Sequence, residues 1–190
     1  MDRVNYIKTL NGVFDFDDIE SNRIDIYDVI TSMVRTIRFN GLSPVVDSVL
    51  THSMGVLNAI ERTTPLSATG RLNILLHDAA ETYIGNIVGP FKNMLNEWCG
   101  GKLKEFEERI KIHIFNELGI EYLPDVQNIL IPVIEKELIK ESLVNLWVID
   151  KECPTNNVVF DAYITFQSLI AEMNVEEAED ENVEDNSDGE

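Results

Sequence analysis

The feature that most constrains this chain is the spacing of its apolar residues, which keeps a helical period along most of its length. Ile26, Val29, Ile30, Met33, Val34 and Ile37 fall at i, i+3, i+4, i+7, i+8 and i+11, one face of a helix over three turns. Asp25 stands where it can cap that helix, and Gly41 where it ends. A second helix is expected from about Ser48 to Glu61, capped by Asp47, with Val49, His52, Val56, Ala59 and Ile60 on one side. A third spans about 67–84, where Leu72, Leu75, Leu76, Ala79, Ala80 and Tyr83 are apolar over the broad arc of a central, buried helix. Gly85 closes it and Pro90 sits in the turn beyond. Helices follow over 102–118, with Phe106, Ile110 and Ile114 inward and Gly119 as the stop, and from Pro132 to about Ile149. A last helix covers about 157–173, with Val159, Tyr163, Phe166 and Ile170 aligned. Residues 1–24 read as a short irregular or hairpin-like arm, because Gly12–Phe16 alternates. The pattern as a whole predicts an all-α bundle of about six helices.

Charge divides the chain in two. The segment from Glu172 to Glu190 carries ten acidic residues and no basic one, so the first 171 residues keep a net charge of −9 out of the total −19. Such a run repels itself and cannot collapse on a core, which predicts a folded domain over 1–173 and a disordered acidic tail over 174–190. An acidic body without a basic stripe argues against duplex nucleic acid as a partner. No apolar run reaches the 18 residues a membrane span needs, and the N-terminus lacks a signal-peptide pattern. Cys99 and Cys153 stand alone, without CxxC spacing. They read as buried or half-buried thiols of a cytoplasmic protein.

Three polar residues interrupt the apolar stripes. His52 lies on the inward side of the second helix, and His77 and Asp78 are adjacent in the middle of the third. A buried ionised Asp is costly unless paired or bound to a metal, and imidazole with carboxylate suits a divalent transition metal. Glu81, four residues after His77 and three after Asp78, falls on the same side of the helix. A carboxylate there can take a proton from, or orient, a water at the metal. A single core histidine is more often merely hydrogen-bonded; the joint spacing of a histidine, 25 residues, then His-Asp and a carboxylate one turn on is what raises the metal reading.

The stretches RFNG (Arg38–Gly41), SVLTHS (Ser48–Ser53) and LLHDAAETYIGNIVGPFK (Leu75–Lys92) resemble the HD-domain nucleotide phosphohydrolases. The nearest types are the bacterial 5′-deoxynucleotidases and the small phage enzymes that hydrolyse dATP to deoxyadenosine and triphosphate. The resemblance implies an HD-domain helical bundle acting on a small-molecule nucleotide, dNMP or dNTP, with a divalent metal (Mn, Co, Zn or Fe), and a homo-oligomer. It assigns His52, His77 and Asp78 as ligands, Glu81 as the residue assisting water, and Arg38 to the substrate phosphates, which a planar, permanent cation suits. The last ligand, an aspartate in the family, aligns with Glu135, which shares a stripe with Ile131, Leu138 and Ser142. Asp150, later in the same helix, is the alternative. The family usually has Gly-Asp after the HD helix, whereas this chain has Gly85-Asn86, and Asn cannot act as a base. The rival expectations are therefore an impaired HD domain that binds nucleotide as sensor or sink, and a helical interaction module that uses its acidic tail.

Overall fold

The computed structural model describes residues 5–43, 46–145 and 163–176, with only the backbone described over 139–145. A two-stranded antiparallel hairpin, β1 (Tyr6–Lys8) and β2 (Val13–Asp15), precedes the helices in the register Tyr6↔Asp15, Ile7↔Phe14, Lys8↔Val13. The alternation that suggested a hairpin-like arm does its work at one residue. Phe14 points inward, is buried, and stacks on Tyr83 with ring centroids 3.9 Å apart.

Helix α1 (Ile26–Arg35) starts where Asp25 accepts a hydrogen bond from the Tyr27 amide. It stops two residues short of Ile37, because the next residues pair with the start of α2 (Val49–Glu61). Ile37 and Ser48 form an antiparallel bridge, the Arg38 amide donates to Asp47 O at 2.8 Å, and the Val49 amide donates to Thr36 O. Ser48, not Asp47, caps α2, in a reciprocal capping box with Thr51. Asp47 instead accepts from the Thr51 hydroxyl and from Arg38.

The expected long third helix is two: α3 (Ala68–Leu75) and α4 (Glu81–Ile84), joined by a tight turn over 76–80. In a continuous helix the Ile74 carbonyl would accept from the Asp78 amide. It accepts instead from the His77 ring Nδ1 at 2.7 Å and from the His77 amide at 3.4 Å, and the chain tightens into i→i+3 bonds from there. Gly85 ends α4 with φ +76, the left-handed conformation a glycine adopts without steric cost.

Helices α5 (Gly89–Trp98) and α6 (Lys102–Glu117) pack on each other, and Ile110 and Ile114 enter the core as expected. The helix expected from Pro132 begins earlier. Pro124 opens it, a π-turn over Val126–Leu130 follows, and α7 (Ile131–Asn145) continues. Pro132 has no amide proton and its ring obstructs the carbonyl four residues back, and the widened turn just before it accommodates that obstruction. Residues 163–176 form α8, which inserts Phe166, Leu169 and Met173 into the core; Val159 lies outside the described residues.

The main core gathers Ile30, Met33, Leu50, Leu72, Leu76 and Phe115 between these helices, and a smaller cluster of Val56, Ile60, Ile74 and Ile131 joins α2, α3 and α7. No helix among the described residues is long and apolar enough to cross a membrane. The expected domain boundary at residue 174 is crossed by α8. Glu176 accepts from the Ala68 amide at the start of α3, at 3.3 Å. Cys99 is exposed rather than buried, because it caps the C-terminus of the surface helix α5; Cys153 lies outside the described residues.

Candidate metal centre

The first turn of α2, the early turns of α7 and the broken third helix converge on one point. His52 sits in the first turn of α2, fixed by the Ser48–Thr51 capping box. His77 and Asp78 occupy the turn between α3 and α4, and Glu135 reaches in from the first turns of α7. Each of the four offers one donor atom, and these atoms lie within 4.8 Å of one another. His52 Nε2 is 2.8 Å from Glu135 Oε1 and 3.8 Å from Asp78 Oδ2. His77 Nε2 is 3.3 Å from Asp78 Oδ2 and 3.6 Å from Glu135 Oε1. Donors bound about 2.0–2.2 Å from a shared ion stand roughly 3–3.6 Å apart; the His77–Asp78 and His77–Glu135 separations fall in that range, and the wider pairs would draw together around a cation.

The break in the helix matters here. Successive residues on an α-helix diverge by about 100°. The turn instead brings the His77 ring and the Asp78 carboxylate to the same point, and the hydrogen bond to Ile74 O fixes the His77 tautomer. With Nδ1–H donating, the Nε2 lone pair is left for a ligand. That Nε2 is buried and has no hydrogen-bond partner; Asp78 and Glu135 are near it but not aligned to bond it. An orphaned buried nitrogen facing two carboxylates is the arrangement a cation would satisfy. These four residues could hold a metal ion.

Electrostatics agree with that geometry. Burial by itself would pull His77 down, but the Asp78 carboxylate and then Glu135 push it up to about 10. Burial would raise Asp78, yet His77 above all, then His52 and Arg38, hold it well below the usual carboxylate range. Glu135, raised by burial, is brought down to about 2 by its hydrogen bond with His52 and then by the adjacent His77. A proton and a metal compete for the same Nε2 lone pair, so the field that holds a proton there also favours a cation.

Glu81 behaves differently. It is 5% exposed, and burial followed by the nearby Asp78 charge pushes its carboxyl up to about 7. Asn86 Nδ2 donates to Glu81 Oε2 at 2.9 Å. The residue whose neutrality removed a base from the expected motif is thus the one that orients the remaining carboxylate.

Compared with models of known protein families and with curated proteins, the sequence matches none.

The structure therefore brings His52, His77, Asp78 and Glu135 together, with Glu81 beside them. Asp150 lies outside the described residues. Arg38 makes a 3.0 Å ion pair with Asp47, and its charge is felt by Asp78 and Glu81. It stands at the head of a strained turn: Phe39, Asn40 and Gly41 all have positive φ, at 57°, 54° and 69°. Left-handed conformation costs about 1–2 kcal/mol at a non-glycine residue. The Ile37–Ser48 bridge, the Arg38–Asp47 pair and the guanidinium over the Phe39 ring hold the turn in place.

Two features escaped the sequence reading. One is the Asn86–Glu81 hydrogen bond. The other is a cavity of about 320 Å³ that opens from His77, Asp78 and Glu81 between α4, α5 and α6. Its far wall is charged: Lys104, Glu107, Glu108 and Lys111 lie at i, i+3, i+4 and i+7 of α6, and Lys92 reaches in from α5. The period was visible in the sequence, but only the apolar stripe Phe106–Ile110–Ile114 was read as inward. The third histidine, His113, is a core residue whose Nε2 meets Asn22 O at 2.7 Å.

Proposed function

We propose that the chain is a metal-dependent phosphohydrolase of the HD-domain type, cleaving a phosphoester of a nucleotide. One observation carries the reading: a tautomer-fixed, unpartnered His77 Nε2 converges with His52, Asp78 and Glu135, beside a buried carboxyl poised near neutrality. Two imidazoles and two carboxylates suit Mn, Fe, Co or Zn. A divalent ion held there would supply Lewis acidity, polarising a phosphoryl oxygen and acidifying water.

The chain's own groups supply the rest. With a pKa of about 7, Glu81 can take a proton from an attacking water and return it to the leaving oxygen. Asn86 keeps its carboxylate oriented, and Arg38, held by Asp47, contributes a fixed positive charge felt at Asp78 and Glu81. The absence of a second carboxylate at position 86 favours an alternative, a domain that binds nucleotide without turnover. A nucleotide panel assayed for phosphate release with Mn²⁺, Co²⁺, Mg²⁺ and Zn²⁺ decides between the two. Metal-dependent release supports the enzyme. Metal and nucleotide binding without release supports the sensor, and failure to bind any metal removes both.

A further inference from the structure

Helix α5 packs on α6 with its polar side. Lys92, Asn93 and Asn96 turn toward the cavity, and Lys92 bonds Glu107 of α6 at 2.7 Å. The helix buries no residue fully. Its other side carries Phe91, Met94, Leu95 and Trp98 at i, i+3, i+4 and i+7, the spacing that aligns side chains on one face. In α1 a stripe of the same period, Val29, Ile30 and Met33, is buried in the core. In α5 it is left to solvent: Phe91 is 48% exposed, Met94 38% and Trp98 75%.

Single apolar residues at a surface are ordinary, but a contiguous stripe of large ones marks a contact. Burying a whole aromatic side chain removes about 150–250 Å² from water, so at these exposures the three residues offer on the order of 300–400 Å² per copy. That is roughly half of the ~800 Å² that each partner of a standard interface buries, before the flanks of the helix are added. Charge argues against a lipid surface as the occupant. The chain carries −19, and α5 holds only Lys92 and Glu97, with Lys92 already paired to Glu107. An anionic membrane repels such a chain, and the stripe lacks the basic flank that interfacial helices use. The order of the residues argues for a second copy. Phe91 and Trp98 lie seven residues apart, about 10.5 Å along the axis and on nearly the same side, with Met94 and Leu95 midway. Two such helices packed antiparallel about a twofold axis between positions 94 and 95 set Trp98 of each copy against Phe91 of the other. Met94 and Leu95 fill the space between the two aromatic pairs. A twofold contact requires a patch that matches itself, and this one does.

We propose that the outer face of α5 is a homodimer interface, closed by an antiparallel α5–α5 contact in which Trp98 of each copy packs on Phe91 of the other. The proposal does not depend on what the metal centre does. Both copies are polyanions, so the contact is an apolar attraction working against charge repulsion. Salt screens the repulsion and strengthens the dimer, the opposite of its effect on a partner held by charge.

The test is sedimentation equilibrium of the full chain over a concentration series reaching well above the micromolar range, at low and at high salt. The wild type passes from monomer to dimer as concentration rises, and does so more readily at high salt. Trp98→Ala weakens association at least about tenfold, as loss of an aromatic anchor does, and here each copy loses one. Ile129→Glu, exposed on the π-turn before α7 and off the stripe, is the control and leaves association unchanged. Two further variants test the register. Trp98→Glu and Phe91→Lys are each monomeric alone, yet an equal mixture associates. In the mixed dimer the new acid faces the new base at one end, and the native Trp98–Phe91 pair remains at the other. Because the replaced side chains are exposed, each variant keeps the monomer's melting temperature at low concentration, which separates lost association from lost folding. A wild type that stays monomeric throughout, a dimer indifferent to Trp98→Ala, or a mixture that stays monomeric overturns the proposal. So does capture of the chain by phosphatidylcholine vesicles through Trp98, which would assign the face to lipid instead.

Discussion

Replacing Glu81 by Gln separates the two roles of this carboxyl, its cost to the fold and its use in proton transfer. The substitution keeps shape, and a Gln side-chain oxygen can still accept from Asn86 Nδ2, which now bonds Glu81 at 2.9 Å. What disappears is a titrating group whose pKa rises from 4.5 in the unfolded chain to about 7 in the fold, through burial and then through the Asp78 charge. A carboxyl with a raised folded pKa keeps its proton longer in the native state. It costs nothing below pH 4.5, and stability is lost progressively as pH rises from 4.5 to about 7. By proton linkage, a shift of this size corresponds to at most about 3 kcal/mol above pH 7. Glu81→Gln removes that cost. In urea denaturation of metal-stripped protein, the variant should match the wild type near pH 4.5 and exceed it by up to about 3 kcal/mol at pH 8. In the metal-loaded protein it should keep its ion while kcat falls by roughly 10²–10⁴, the usual worth of general acid–base help. A stability difference independent of pH would show that Glu81 is not held near neutrality. Turnover at the wild-type rate would show that it is not the base, even if the metal site is right.

Other changes probe the centre from different sides. His77→Ala should abolish tight metal binding by elemental analysis and with it activity, because it removes the buried nitrogen that no hydrogen bond satisfies; full occupancy in that variant would sink the centre. Glu135→Gln should lower metal affinity by at least about 100-fold in a chelator competition, a direct ligand being worth no less than the outer partners of such sites, and unchanged affinity would return Asp150 to consideration. Asn86→Ala should leave metal content intact while kcat drops, since it frees the Glu81 carboxylate without touching a ligand; a loss of metal would mean that Asn86 acts on the ion. Truncation after residue 176 should leave the melting temperature unchanged, whereas truncation after 173 removes the Glu176 contact with the Ala68 amide and should cost about 1 kcal/mol, as loss of a helix cap does.

Local pattern was enough to determine most of the elements. A helical period in Ile26–Val34 and in Ile110–Ile114 can be satisfied only by burying one side of a helix, and Asp25, Gly85 and Gly119 mark ends through backbone chemistry that needs no distant partner. The types of His52, His77, Asp78 and Glu81 pointed to a metal and a proton carrier because buried imidazole and carboxylate are costly otherwise. The tertiary structure decided what depends on competition between distant or alternative bonds. The third helix breaks because the His77 ring takes the Ile74 carbonyl from the backbone, and no residue count shows which of the two wins. Glu135 meets His52 at 2.8 Å across 83 residues of sequence, through the packing of α7 on α2. Asn86 turned from a missing base into a hydrogen-bond donor only when its side chain was placed against Glu81. The lysines of α5 and α6 repeat at helical spacing that any solvated surface could show. The fold alone turns that face toward the His77–Asp78 turn and leaves a cavity between them.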